Sequence, residues 1–339
     1  MLTLFFTYIF RRYAYKLDLV DYPGGHKLHD VPTPLVGGLG IFCGAMTSFF
    51  FFPLALGDLR IFMAGGTLLV IVGVLDDLHD LSSRSRFIGQ IAAAGLMCWG
   101  GGNVIRDLGL LVPGELVDLG IFSVPFTIFA TVGVINALNM ADGMDGEAGI
   151  LTLVAFGALV ILSVGNERDV LLLSIFIAAV LVFLLFNLGL FLRGEKVFLG
   201  DAGSMYLGFA ITWFLIDFSQ GTGRVMAPVT ALFILAIPLY DTVGLLFHRL
   251  IEGKSPFKAD RNHLHHVLQR LGFTKRRALL VIAILSSGIA LLGLYWEARG
   301  VPEHKRLLGF LSGFIGYYII MSYFWKCYPS CRHPETNSR

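Results

Sequence analysis

The chain has 339 residues, of which 55% are hydrophobic and 15% charged, with 40 glycines and a formal net charge of +2. A soluble domain carries about 25% charged residues, so this chain cannot coat a water-facing surface, and it is equally unlike a disordered chain or a disulfide scaffold. The small net charge gives no electrostatic footprint for nucleic acid.

About 20 apolar residues cross a bilayer. In chain order, spans are expected near residues 35–56, 59–75, 87–102, 119–138, 147–165, 169–189, 203–219, 225–246, 277–295 and 304–325. Ahead of them, Met1–Phe10 would reach only about 15 Å as a helix. It is expected to be the shortened start of a first span, ending at Arg11 and Arg12, and not a cleaved signal peptide, because no small-residue cleavage site follows. The expected fold is all-α: a polytopic membrane bundle of about 10–11 helices. It forms a single domain over 1–325, with a tail at 326–339.

Orientation follows from the basic residues. The segments 11–34, 76–86, 139–146, 190–202, 247–276 and the tail, with Arg277, hold 19 of the 26 Lys and Arg; the opposite loops hold 7. The first set is therefore expected in the cytoplasm, with the N-terminus out and the C-terminus in.

The scarce acids and histidines gather in those same segments, and ionisable groups at membrane depth mark function. The first segment, Gly24 to Gly38, is a stiff Pro/Gly loop carrying Lys27, a mobile point charge suited to phosphate. Asp76 and Asp77 end an apolar helix. Adjacent carboxylates repel unless a cation or proton separates them, and Mg²⁺ prefers one or two carboxylates plus substrate phosphates. Asn139, Asp142 and Asp145 recur every third residue, so a helical turn would align them on one face. Their loop has no Lys or Arg of its own, which points to an external cation. Asp201 lies among small residues just before a span, where it could face a cavity or cap the helix. The long loop 247–276 carries Asp260, Arg261, Asn262 and the run His263-Leu264-His265-His266. The zinc-protease spacing is absent there, and flanking cations favour phosphate binding or proton transfer. Cys43 and Cys98 read as small apolar residues, and the Cys327/Cys331 pair lacks partners for a metal site.

The Pro32-Thr33-Pro34-Leu35-Val36-Gly37-Gly38 loop, Leu75-Asp76-Asp77, the Asn139–Gly146 segment (NMADGMDG), the Phe198–Ser204 segment (FLGDAGS) and HLHH occur in this order. In them the chain resembles the polyprenyl-phosphate N-acetylhexosamine-1-phosphate transferases, over about residues 11–325. Within that family, HxHH with Ser255-Pro256-Phe257 is similar to the branch that moves GlcNAc-1-phosphate from UDP-GlcNAc to undecaprenyl phosphate. The muropeptide-forming branch carries three consecutive histidines, a pattern that Leu264 breaks.

The resemblance implies a helix bundle with a cytoplasmic cleft in a bacterial inner membrane, and Mg²⁺ as cofactor with Mn²⁺ as a substitute. It implies Asp201 as the direct metal ligand and Asp76 and Asp77 as handlers of metal or lipid phosphate. Asn139, Asp142 and Asp145 match the second acidic motif. Phe198 would stack on uracil, with Asn187 near the nucleoside. Lys27, His263, His265 and His266 would meet phosphates, and Arg261, as a cation flanking the histidine run, is expected to bind substrate beside them. Whether Asp76 and Asp77 organise, act as base or form a covalent intermediate stays open, as does a homodimer. Other UDP-N-acetylhexosamines, including the GalNAc, 6-deoxy and MurNAc-pentapeptide donors, remain alternatives. A nucleotide-sugar or lipid-linked-sugar transporter is the rival of another class, although it would place its charges near mid-membrane in repeated halves.

Overall fold

The computed structural model describes residues 1–23, 31–52, 56–191, 196–253, 255 and 262–328. The helices in order are α1 Leu2–Tyr13, α2 Gly37–Phe49, α3 Leu56–His79, α4 Ser83–Gly95, α5 Ser123–Met140, α6 Glu147–Leu162, α7 Glu167–Asn187, α8 Gly200–Ser219, α9 Pro228–Ile234, α10 Ala236–Ile251, α11 Leu264–Arg270, α12 Lys275–Ala298 and α13 Glu303–Cys327. Among the described residues the only sheet is a ribbon, in which β1 Val20–Asp21 runs antiparallel to β2 Thr33–Pro34. The chain is an all-α membrane helix bundle.

A helix lies within each expected span, but the lengths differ. Among the described residues six helices are long and apolar enough to cross a membrane by length and composition: α3, α5, α7, α8, α12 and α13. The expected spans at 35–56 and 147–165 are the shorter helices α2 and α6, of 13 and 16 residues. Apolar residues such as Phe50 and Phe51 lie beyond the end of α2 and are exposed, so an apolar run overstates helix length. The span near 87–102 divides into α4 and a π-helical turn, Leu96–Gly100. The expected span 225–246 is two helices, α9 and α10, bent by 82°. Pro238 has no N–H to offer the carbonyl four residues back, that of Ile234, which is where α9 ends.

The middle of the bundle is α8, whose apolar window is 94% buried; α13, at 11%, lies on the periphery. Close helix approach in a membrane needs small residues, because lipid tails are as apolar as leucine. At Gly73 of α3 an added Cβ would come within 2.3 Å of the Ala202 Cα, and at Gly38 of α2 within 2.3 Å of the Gly203 Cα. These two contacts bring α2 and α3 against the start of α8. Gly37 and Gly38 then donate their N–H groups to the carbonyls of Phe198 and Leu199, each at 2.9 Å, and Phe198 N–H donates to Pro34 O at 2.8 Å. Deeper in, Phe62, Phe176, Phe209 and Phe214 form a ring cluster that packs α3, α7 and α8 together. At the opposite end Arg306 is buried, donating to Glu297 at 2.6 Å and to Thr230 at 2.9 Å.

The small side chain at Gly73 is therefore required, whereas Gly157 has open space around its Cα. Gly73→Ala is expected to lower the unfolding midpoint in detergent, by an overpacking penalty of about 1–3 kcal/mol. Gly157→Ala is expected to leave the midpoint within error or raise it slightly.

Candidate active site

The site is built on the N-terminus of α8. Gly200 opens that helix with φ +73, where a Cβ would also come within 2.6 Å of Asp77 Oδ2. Glycine is thus needed twice, for the backbone angle and for the space. The Asp77 carboxylate, delivered by the end of α3, accepts from the Asp201 N–H at 2.9 Å and the Ala202 N–H at 3.4 Å. It satisfies two of the donors that a helix start leaves orphaned and lies at the positive end of the helix dipole. Sequence reasoning allowed that Asp201 might be the cap of this helix; the cap is Asp77, from another helix. Asp201 is thereby left to face the centre.

Asp76 turns away from Asp77 into its own cradle. It is buried, accepting from Leu81 N–H at 2.8 Å and from Arg86 at 3.1 Å, with the Asp201 carboxyl beside it. From the end of α5, the Asn139 amide donates to the Asp201 carboxylate and, at 2.9 Å, to Ser204. Asp76, Asp77, Asn139, Asp142 and Asp201 therefore converge from α3, from the end of α5 and the turn after it, and from α8. Among the described residues no Lys or Arg pairs with Asp77, Asp142 or Asp201. Removal from water pushes the Asp142 carboxyl well above the usual range, and the neighbouring Asp201, Glu147, Asp77 and Asp145 add to the rise.

Two expectations change here. Asn139, Asp142 and Asp145 do not share a helical face, because α5 ends at Met140 and the chain turns. Nor is Asp145 uncompensated. Lys196 donates to it at 2.5 Å and Lys275 lies 4.0 Å away, cations from remote segments that the local sequence could not reveal. The Lys196 ammonium is also 5.4 Å from the Phe198 ring centroid. Asn187 donates to Val197 O at 2.9 Å, which fixes the segment leading to Phe198, and its own Oδ1 is buried without a partner.

The histidine run approaches from the other side. His265 is 1% exposed and packs on Gly143, where a Cβ would meet its ring within 2.5 Å. Its Nδ1 is 2.9 Å from Glu147 Oε2, without hydrogen-bond geometry. Burial pushes this ring down to about 4, with His263 adding to the shift and Asp241 opposing it. His265 is thus a neutral buried strut beneath the acidic loop. The His266 ring lies 4.2 Å from that of His265. His263 is buried against Asp241, its Nδ1 2.6 Å from Oδ2. Leu264 turns into an apolar cavity of about 380 Å³ between α10, α12 and α13. Lys27 and Arg261 lie outside the described residues.

Sequence reasoning missed Arg86, Glu147 and Asp241. Asp241 had a usable signal, an acid inside an apolar run; Glu147 lay one residue past a recognised motif. The capping role of Asp77 has a direct test. Asp77→Ala leaves two backbone donors unmatched and is expected to destabilise the fold by about 1–3 kcal/mol, read as a lower unfolding midpoint. Asp77→Asn, which retains one acceptor oxygen, is expected to lose less. Equal midpoints for wild type and Asp77→Ala in a detergent melting assay would contradict the cap.

The family model of Glycosyl transferase family 4 matches residues 59–219, which hold most of α3 and all of α5 and α8, with the acids they carry. Among curated proteins, the undecaprenyl-phosphate alpha-N-acetylglucosaminyl 1-phosphate transferase of Yersinia pestis is 39% identical over 330 residues, 96% of this chain and 90% of the relative. The protein of the same name from Escherichia coli (strain K12) is 37% identical over 329 residues, with the same coverage. That of Haemophilus influenzae is 36% identical over 340 residues, 96% of this chain and 95% of its own. The chain belongs to glycosyl transferase family 4.

Proposed function

We propose that this chain transfers GlcNAc-1-phosphate from UDP-GlcNAc to undecaprenyl phosphate, releasing UMP, and so starts a lipid-linked cell-surface polysaccharide such as O-antigen or common antigen. The observation that carries the reading is the convergence of Asp76, Asp77, Asn139, Asp142 and Asp201 at one end of a membrane bundle, in a chain whose relatives bear that transferase name. The basic-residue bias supports a cytoplasmic position for that end, in a bacterial inner membrane.

Among the described residues no three His, Cys, Asp or Glu side chains form a ready-made cage for a metal ion. The donors present are hard oxygens in excess of nearby cations, and the neighbouring acids add to the rise that burial causes at Asp142. This fits Mg²⁺, which takes one or two carboxylates and completes its shell with phosphate and water. Asp201, with Asp77 and Asp76 beside it, would hold the ion, which supplies charge neutralisation at the donor diphosphate when bound.

In the proposed displacement an oxygen of the lipid phosphate forms a bond to the β-phosphorus of UDP-GlcNAc. The bond from that phosphorus to the bridging oxygen breaks, and UMP leaves with the electron pair. A phosphate monoester has its second pKa near about 6, so the acceptor is already mostly dianionic at neutral pH. The protein has little proton to remove. That suits Asp76 and Asp77, whose carboxylates are engaged by backbone N–H groups and Arg86 and so are better placed to organise the site than to act as base or nucleophile. Asn139 orients Asp201. Phe198, steadied by Asn187 through Val197, offers a face for uracil, and Lys196 holds Asp145 at its edge.

Purified protein supplied with undecaprenyl phosphate, Mg²⁺ and UDP-GlcNAc is expected to release UMP, and EDTA is expected to abolish that release. The rate should climb through about pH 6 and level off above about 7, following the acceptor phosphate. Asp201→Asn is expected to be nearly inactive at any Mg²⁺ concentration. UMP from UDP-GalNAc or UDP-MurNAc-pentapeptide alone would change the sugar. No UMP from any donor with folded protein would overturn the reading in favour of transport.

A further inference from the structure

Asp241 lies in α10, within an apolar segment, and is 7% exposed. Burying a carboxylate there is costly unless donors surround it. Three converge on it. Its Oδ2 is 2.6 Å from His263 Nδ1, and its Oδ1 accepts from the Leu264 N–H at 2.9 Å and from the Tyr317 hydroxyl at 2.8 Å. Tyr317 comes from α13, the peripheral helix. The same helix holds the segment before α11 a second time, through Trp325 Nε1, which donates to Asn262 O at 2.8 Å. Arg270 at the end of α11 donates in turn to Tyr328 O at 2.7 Å. The element bearing the histidines is thus fastened at one end to the last helix and at the other to the residue that follows it.

We infer that Asp241 and Tyr317 are positioning residues for His263: Tyr317 orients the Asp241 carboxylate, which holds His263 with its proton on Nδ1. This rests on the transferase reading above only for its kinetic consequence. A carboxylate fixed on one ring nitrogen selects the tautomer, as in other His–carboxylate pairs. Any proton or hydrogen bond that His263 exchanges with a phosphate is then exchanged at Nε2. A lipid-facing helix far along the chain thereby sets the geometry of a site residue.

The test has a spectroscopic and a kinetic arm. In ¹⁵N-histidine-labelled protein, with the His263 signals assigned by their loss in His263→Asn, the Nδ1–H signature is expected in wild type. Tyr317→Phe is expected to move it, and Tyr318→Phe, whose ring contacts Phe314 and Trp325, is not. In the UMP assay Tyr317→Phe is expected to lower kcat roughly tenfold, the worth of one hydrogen bond to a charged group, with KM for both substrates unchanged. Introduced into His263→Asn, the same change should cost nothing further, because it acts through His263. An Nε2–H tautomer in wild type, or additive kinetic losses, would overturn the inference. Tyr317→Phe serves as the working variant because Asp241→Asn also weakens the cap on α11 and can fail to fold. A wild type that releases no UMP sinks the transferase reading and leaves the spectroscopic arm standing.

Discussion

The bond from the Asp77 carboxylate to the first backbone N–H groups of α8 is the constraint on which the site depends. It joins the end of α3 to the start of the most buried helix, and it does so where the glycine and alanine contacts let the two backbones nearly touch. A side chain without acceptor oxygens would leave helix-terminal donors unmatched in a region short of water. A carboxylate satisfies them and uses the dipole, but it also brings negative charge beside Asp201 and Asp142. The fold is thus stabilised by an interaction that makes the local charge unbalanced, and the chemistry proposed here follows from that imbalance.

The rest of the site manages the charge by allotting partners unequally. Asp76 has Arg86, Asp145 has Lys196 and Lys275, and Asp241 has His263 and Tyr317. Among the described residues the carboxylates at the start of α8 have side-chain and backbone amides instead. Paired acids build the frame, while the acids without a basic partner face the space where a phosphate-bearing substrate and a cation would bring compensating charge. His265 belongs to the frame as well. Neutral and buried, it fills the gap that Gly143 leaves beneath the acidic loop.

Much of this was legible in the sequence because acids are scarce in an apolar chain. Asp76-Asp77, the Asn139–Gly146 loop and Asp201 stood out against their surroundings, and antiparallel spans of alternating direction bring them to one end. What was not legible came from long-range geometry. The pairing of Lys196 with Asp145 spans 51 residues, and the cap of α8 by Asp77 spans 124. Three-residue spacing suggested one helical face for Asn139, Asp142 and Asp145, but the helix ends at Met140 and its last turn no longer dictates direction. The 82° break in the ninth expected span had a local cause in Pro238, which a count of apolar residues does not weigh.

The central claim is that Asp201, held by Asn139 and by the start of α8, is the point at which a divalent cation meets the donor diphosphate. Mn²⁺ titrated into the detergent-purified protein with UDP-GlcNAc present, and followed by electron paramagnetic resonance, tests this without turnover. The account predicts one bound Mn²⁺ with phosphorus coupling from the donor, lost in Asp201→Asn protein that melts like wild type. Undiminished binding with the same phosphorus coupling in Asp201→Asn would contradict it.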